Sequence, residues 1–489
     1  MLRRWTHIAA VAALTTTVTV GVSADPSTDF LEEDVEVVRL LTGDAVGDYY
    51  GWVVGNVGDT TGDGIDDFLV PAIAQNNFAG RVTLYSGSDG APLNVIEGAP
   101  GALLGYSLGA AGDVNGDGIA DYIVGGGQVL VVSGADHHVI HDLTATVGFG
   151  NGVRGAGDVD GDGHGDLVVG FRRAGFGGVD TGRVFMISGA DGSVLWTRDG
   201  AVEGDLLGDG IGTVGDVNWD GVPDVVAGSP GAGPSAGGEA LVLSGADGSV
   251  IHTLRPTDPE TADQFGAFFA SGAGDVNGDG VGDVYIGDFN DGVGERAATG
   301  AVYIYSGRTG RVLHVLRGRD AGELFGLGRG IPDVNGDGHA DILVGAPQNS
   351  DGVSNGGATY LFSGRSGALL RKITGTFALD GVGNGFGADA TSLGDVDGDG
   401  LPDFLVSAGA LTLQGLDTGR AYVVSGTVLP CPADLDGDGW VGLFDFLVLR
   451  YQFGDAESPA DLDGDGEVGY RDLRVLIRDI GWCPAGFPR

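Results

Sequence analysis

The sequence predicts an all-β protein: seven four-stranded antiparallel sheets set radially as a propeller, with a small α-helical module at the C-terminal end. Three observations predict it. A glycine-rich acidic phrase recurs seven times at intervals of 45 to 62 residues. Each recurrence sits among four short β-type runs separated by Gly, Asp and Asn turns. Beyond Ser425-Gly426 the pattern changes to two acidic loops, each running into a helix-type pattern.

Composition agrees. The 97 glycines of the 489 residues follow no three-residue period, which excludes collagen, and 42% hydrophobic residues exclude a disordered acidic polymer. A formal net charge of −43 argues against nucleic acid and against an anionic membrane surface, because both demand basic partners. Leu2-Arg3-Arg4-Trp5, an apolar run from Ile8 to Val22, and Val22-Ser23-Ala24 read as a secretory signal over residues 1–24. The expectation is a secreted, extracellular or surface-associated chain with no membrane span after processing, in a compartment where calcium is abundant and disulfides persist. Residues 25–429 then form the propeller and residues 430–489 the terminal module.

The elements of one unit follow in order. It opens on an apolar-Gly pair: Tyr50-Gly51, Leu104-Gly105, Phe149-Gly150, Leu207-Gly208, Phe265-Gly266, Phe325-Gly326 and Phe386-Gly387. The acidic phrase comes next, then a short apolar strand such as Asp341-Ile-Leu-Val344. A third, alternating strand such as Ala301-Val-Tyr-Ile-Tyr305 ends in Ser-Gly every time, and a fourth follows, such as Arg311-Val-Leu-His-Val-Leu316. Unit seven lacks its own fourth strand. Residues Val35 to Leu41 supply the matching pattern, so the N-terminal strand is expected to close the ring and remove an open sheet edge.

The acidic phrase, Asp-x-(Asp/Asn)-x-Asp-Gly-x-x-Asp, places oxygen ligands at positions 1, 3, 5 and 9 and a backbone carbonyl at 7. The glycine at 6 allows the sharp turn, and carboxylate-rich oxygen cages of this kind suit Ca²⁺. The expected ligands are Asp59, Thr61, Asp63, Ile65 and Asp67, then Asp113, Asn115, Asp117, Ile119 and Asp121, then Asp158, Asp160, Asp162, His164 and Asp166. The fourth and fifth loops offer Asp216, Asn218, Asp220, Val222 and Asp224, and Asp275, Asn277, Asp279, Val281 and Asp283. The last two offer Asp333, Asn335, Asp337, His339 and Asp341, and Asp395, Asp397, Asp399, Leu401 and Asp403. Up to seven ions are expected, and Thr61 makes loop one the weakest.

Over residues 30 to 428 these repeats resemble the FG-GAP repeats of the integrin α-subunit head, a seven-bladed propeller. Departures are Gly125-Gly-Gly127 where a Gly-Ala-Pro loop is usual, and Leu104 and Leu207 in place of an aromatic residue. The resemblance implies that the acidic loops are structural and that an extracellular ligand is met on the opposite face. On that face the variable connections carry Arg172, Arg173, Phe176, Phe289 and Arg296, candidate contacts for a protein or glycan.

In the terminal module Asp434, Asp436, Asp438, Trp440 (carbonyl) and Asp445 repeat as Asp461, Asp463, Asp465, Glu467 (carbonyl) and Asp472, an EF-hand-like ligand set for two further calcium ions. The pair of loop-helix units resembles a type I dockerin, which implies a cohesin-like or other surface receptor. Positions 10 and 11, commonly a Ser-Thr-like pair in cohesin binders, are here Leu443-Phe444 and Tyr470-Arg471. Cys431 and Cys483 bracket the module, and one disulfide between them is expected.

No nucleophile elbow, phosphate loop or zinc pattern is present. His141, His252 and His314 occupy one repeated place in the fourth strand, which Trp196 fills in unit three, and repetition of that kind is a packing signature. His164 and His339 sit at loop position 7 with side chains expected to be free. The reading is a calcium-stabilised binding or adhesion propeller carried by an anchoring module. The alternative is a polysaccharide-active lyase or hydrolase on the same scaffold, with a carboxylate pair hidden among 68 acids.

Overall fold

In the computed structural model, residues 26–32, 34–175, 178–233, 237–258, 262, 264–292, 298–409, 418–426, 435, 440–455, 458, 460, 462, 467–478 and 481–482 are described. The short apolar runs after the acidic loops become the second strands of seven sheets: Asp67–Ala72, Asp121–Gly125, Asp166–Phe171, Asp224–Ser229, Asp283–Asp288, Asp341–Ala346 and Asp403–Ala408. They are buried at almost every position, because each sheet is covered by a neighbour on both faces. The fourth strands, such as Pro92–Glu97 and Val312–Arg317, form the half-exposed outer edges.

All seven sheets have four strands in simple antiparallel order. The first strands, Gly55–Gly58, Ser107–Gly112, Gly152–Gly157, Ile211–Gly215, Ala270–Gly274, Leu327–Ile331 and Ala390–Gly394, lie next to one another in sequence order, and the last returns to the first. That ring surrounds the propeller axis. Seven separate apolar cores fill the seven blade interfaces; one joins Val57 and Leu69 of blade one to Leu108 and Tyr122 of blade two, and another joins Tyr50 and Phe68 of blade one to Leu393 and Val423 of blade seven.

The ring closes as the N-terminal pattern predicts. Val37–Thr42 pairs antiparallel with Arg420–Val424 and completes blade seven. The preceding residues hold it further. Phe30 packs edge-on against Phe386 and Tyr422, with ring centroids 5.0 and 5.4 Å away. Buried Asp29 accepts from Arg420 Nη1 and from the Tyr422 hydroxyl, both at 3.0 Å. Leu31 donates its backbone N–H to Thr374 of blade six, so the segment ties the last two blades together.

The apolar residue of the opening pair enters a blade core in six units, Phe265, Phe325 and Phe386 among them. Its glycine has positive φ; at Gly387 φ is +89° and a Cβ would stand 2.3 Å from the Ala358 carbonyl oxygen. Unit three departs from the expected pattern. Phe149 stays half-exposed and packs against Tyr106, while Val147 fills the core position.

At the C-terminal end, helices Leu443–Tyr451 and Tyr470–Arg478 pack on a small core of Val441, Leu449, Ala460, Val468 and Leu476. Trp440–Val441 pairs with Gly481–Trp482. Cys431 and Cys483, and the loop acids Asp434, Asp436, Asp438, Asp461, Asp463 and Asp465, lie outside the described residues. No helix among the described residues is long and apolar enough to cross a membrane.

Candidate functional site

The acidic loops form hairpins between first and second strands, and their geometry is set by the carboxylates themselves. In loop two, Asp113 accepts the backbone N–H groups of Gly116, Asp117 and Gly118 at 2.7 to 3.0 Å, and Asp117 accepts that of Ile119 at 2.9 Å. The same cradle recurs at Asp59, Asp158, Asp275 and Asp333. Position 9 is fully buried. One oxygen of Asp341 accepts from Val334 N at 2.9 Å, and the other from Gly364 N, the glycine of that unit's Ser-Gly, at 3.0 Å. Every blade repeats this bond, at Gly87, Gly134, Gly189, Gly245, Gly307, Gly364 and Gly426. The invariance of Ser-Gly thereby gains a cause: a Cβ on Gly364 would lie 1.8 Å from the Ala340 carbonyl oxygen.

In loops three and seven, where position 3 is Asp, carboxylate oxygens of Asp158, Asp160 and Asp166, and of Asp395, Asp397 and Asp403, lie within 4.8 Å of one another. This hard, all-oxygen donor set fits a divalent cation of the calcium type. Burial pushes the carboxyl of Asp283 up to about 7 and those of Asp341 and Asp403 to about 6, against the hydrogen bonds that favour the anion.

The side chains of His164 and His339 are not free. Nδ1 of His164 lies 2.8 Å from the Val114 carbonyl oxygen, and that of His339 lies 3.0 Å from Val276 O, so each donates to the neighbouring hairpin's backbone. The fourth-strand set is likewise a blade-to-blade tie. His252 and His314 reach Gly307 O and Gly364 O at 2.8 and 2.7 Å, and Trp196 Nε1 donates to Gly245 O at 2.6 Å. Arg39 does the same from the closing strand, donating to Gly87 O at 2.9 Å.

On the opposite face, where chain enters the inner strands, a cavity of about 650 Å³ opens along the axis. Its mouth is aromatic. Trp52 lies 5.9 Å from Tyr106, Tyr106 lies 6.0 Å from Phe268, and Phe268 lies 6.5 Å from Phe289 by ring centroid. Arg172 pairs with buried Asp209 at 2.9 Å and covers the Phe268 ring at 5.4 Å. Deeper in the channel Arg154, Arg329 and Asp389 line a wall otherwise made of small and apolar residues.

Of the five residues the sequence nominates as partner contacts, Phe289 lines this mouth and Arg172 borders it. Arg173 is exposed, yet close enough to Asp209 and Tyr106 for its charge to bear on both. Phe176 and Arg296 lie outside the described residues. The connections are also less free than expected: Asp288, Asp291 and Asn349 are buried, with Asp291 accepting from Tyr303 and pairing with Arg317. Sequence reasoning missed Trp52, Tyr106, Phe268, Arg154 and Arg329. The signal was present, since the three aromatics follow opening pairs by one or two residues and each arginine is the third residue of a small-residue inner strand.

At the other end, Asp445 and Asp472 behave alike. Asp445 accepts from Leu435 N and Gly442 N, both at 2.7 Å; Asp472 accepts from Leu462 N at 2.7 Å and Gly469 N at 2.5 Å. Leu443, Phe444, Tyr451 and Tyr470 are exposed on these helices.

Comparison with known proteins converges on the repeat. The FG-GAP repeat family matches residues 330–362, which hold the end of the inner strand, the acidic hairpin and the next two strands of blade six. The chain carries an FG-GAP repeat. It is similar to integrin alpha-V of Gallus gallus, 31% identical over 182 residues, covering 35% of this chain and 17% of that protein. It is similar also to integrin alpha-PS5 of Drosophila melanogaster, 37% identical over 113 residues (22% and 11%), and to integrin alpha-5 of Xenopus laevis, 30% identical over 221 residues (43% and 20%). The matches span a fifth or less of the length of these relatives. The FG-GAP propeller is thus integrin α-like in sequence and has seven blades of four strands.

Proposed function

We propose that this chain is a secreted, calcium-stabilised ligand-binding or adhesion propeller that meets its extracellular ligand at the channel mouth opposite the acidic hairpins. The observation that carries the reading is the mouth itself, where Trp52, Tyr106, Phe268 and Phe289 converge from three blades above a concave, partly charged wall. Calcium in the seven hairpins would be held by the carboxylates at positions 1, 5 and 9 and the side-chain oxygen at position 3. It would neutralise charge that otherwise repels across one face. Similarity to integrin α-subunits supports binding as the class of function.

The terminal module takes the anchoring role in this reading, through two dockerin-like loop-helix units with calcium at Asp434 to Asp445 and Asp461 to Asp472, and a Cys431–Cys483 disulfide. The matching placement of Asp445 and Asp472 supports an internal duplication. A lyase or hydrolase remains the competing reading. Asp389 is the only acid among the described residues lining the channel, which favours binding over hydrolysis by paired carboxylates there.

The test is an array of glycans and matrix proteins probed with the calcium-loaded chain and with Trp52→Ala and Phe268→Ala. Binding lost in both variants at an unchanged melting temperature supports the reading. Product release from a glycan, or binding indifferent to both variants, overturns it.

A further inference from the structure

The channel carries a charge pattern opposite to that of the molecule. Its described lining holds two guanidiniums and one carboxylate, in a chain of formal net charge −43. Asp389 is already committed: Oδ1 accepts from Arg329 Nη2 at 2.6 Å and from Ala390 N at 2.9 Å, and Oδ2 from Val54 N at 2.9 Å. Arg154 pairs with no carboxylate among the described residues, and its Nη1 donates to the carbonyls of Leu108 and Val153. Arg329 Nε is buried and finds no acceptor among the described residues. Burial and the neighbouring Arg329 lower the Arg154 guanidinium, with Asp389 opposing, to about 10, so it stays charged at neutral pH.

The mouth above discriminates between ligands. The Phe268 ring, which an incoming cation would seek, is already covered by Arg172, whose own charge Asp209 answers. An entering group therefore meets aromatic faces first and guanidinium N–H donors below.

We propose that the channel binds uronate residues of an acidic glycan, with the carboxylate on Arg154 and Arg329 and the sugar ring against Trp52 and Tyr106. The proposal rests on the ligand-binding reading above and names its chemistry. A guanidinium matches a carboxylate in shape and charge. The C–H face of a sugar ring complements the electron-rich face of an aromatic ring. A cavity of about 650 Å³ suits a short oligosaccharide end. An acidic peptide side chain would satisfy the arginines and leave the ring faces unused.

The purified calcium-loaded chain is titrated calorimetrically with galacturonate, glucuronate and guluronate trisaccharides, with their methyl esters, and with a glutamate-rich peptide. The expected result is binding of at least one uronate trisaccharide, at least tenfold weaker binding of its ester, and an affinity loss of about tenfold to a hundredfold in Arg154→Gln, with Arg154→Lys retaining part. Equal affinity for acid and ester, absence of binding by all three uronates, tighter binding of the peptide, or an unchanged Arg154→Gln would each overturn the proposal. If Arg154→Gln fails to fold, acid against ester on the wild-type chain decides alone. Uronates that do not bind, beside an array ligand whose binding needs Trp52, would sink the uronate assignment and leave the ligand-binding reading standing.

Discussion

Replacing Asp29 by alanine tests how the ring is closed. Asp29 and Arg420 face each other at 3.0 Å with side chains 5% and 3% exposed, and the Tyr422 hydroxyl donates to the same carboxylate. Breaking a buried pair by removing one partner costs about 3–5 kcal/mol, because the remaining charge loses its buried counter-ion. Unfolding entropy of about 2.1 cal/mol/K per residue over about 400 residues converts this to a fall of roughly 4–6 °C in melting temperature. The double variant Asp29→Ala, Arg420→Met should recover most of the loss, because an apolar side chain in that place carries no stranded charge. Differential scanning calorimetry in excess calcium reads both numbers. A single variant that melts with the wild type, or a double variant no better than the single, would refute the argument that the Asp29 to Thr42 segment latches the last blade through this pair.

Gly364→Ala should cost well over 3 kcal/mol by urea denaturation, since its Cβ would meet the Ala340 carbonyl at 1.8 Å and displace the bond to Asp341; Gly338→Ala, with positive φ but open space around it, should cost about 1 kcal/mol. His314→Ala removes the tie to the Gly364 carbonyl and should cost about 1 kcal/mol, measured the same way. Chelation should lower the melting temperature steeply, because each site filled at a hundredfold excess over its dissociation constant adds about 2.7 kcal/mol; superimposable scans with and without chelator would exclude calcium stabilisation. Asp158→Asn with Asp160→Asn should reduce the calcium stoichiometry by one in a calorimetric titration, leaving the other six hairpins intact.

The repeat, the strand order, the position of the acidic hairpins and the closing strand were all legible because each is written within a few residues. Two-residue alternation fixes which side of a strand is buried. An Asp followed by Gly at the fourth and sixth positions draws the loop's own N–H groups onto its carboxylate, as Asp113 does. Val37–Thr42 could be assigned to blade seven because its pattern matches the other fourth strands and a ring leaves one vacancy. Tertiary structure decided what lies between blades. Whether Phe149 or Val147 enters a core depends on how Gly148 turns the chain. The histidines' acceptors are 50 or more residues away in most cases, so their side chains could be grouped from sequence but not given partners. The channel is the extreme case. Arg154, Arg329 and Asp389 belong to three different blades, and each looks unremarkable in its own stretch of sequence. Only closure of the ring brings their charges into one low-dielectric space, where an arginine without a carboxylate becomes a binding group rather than a solvated one.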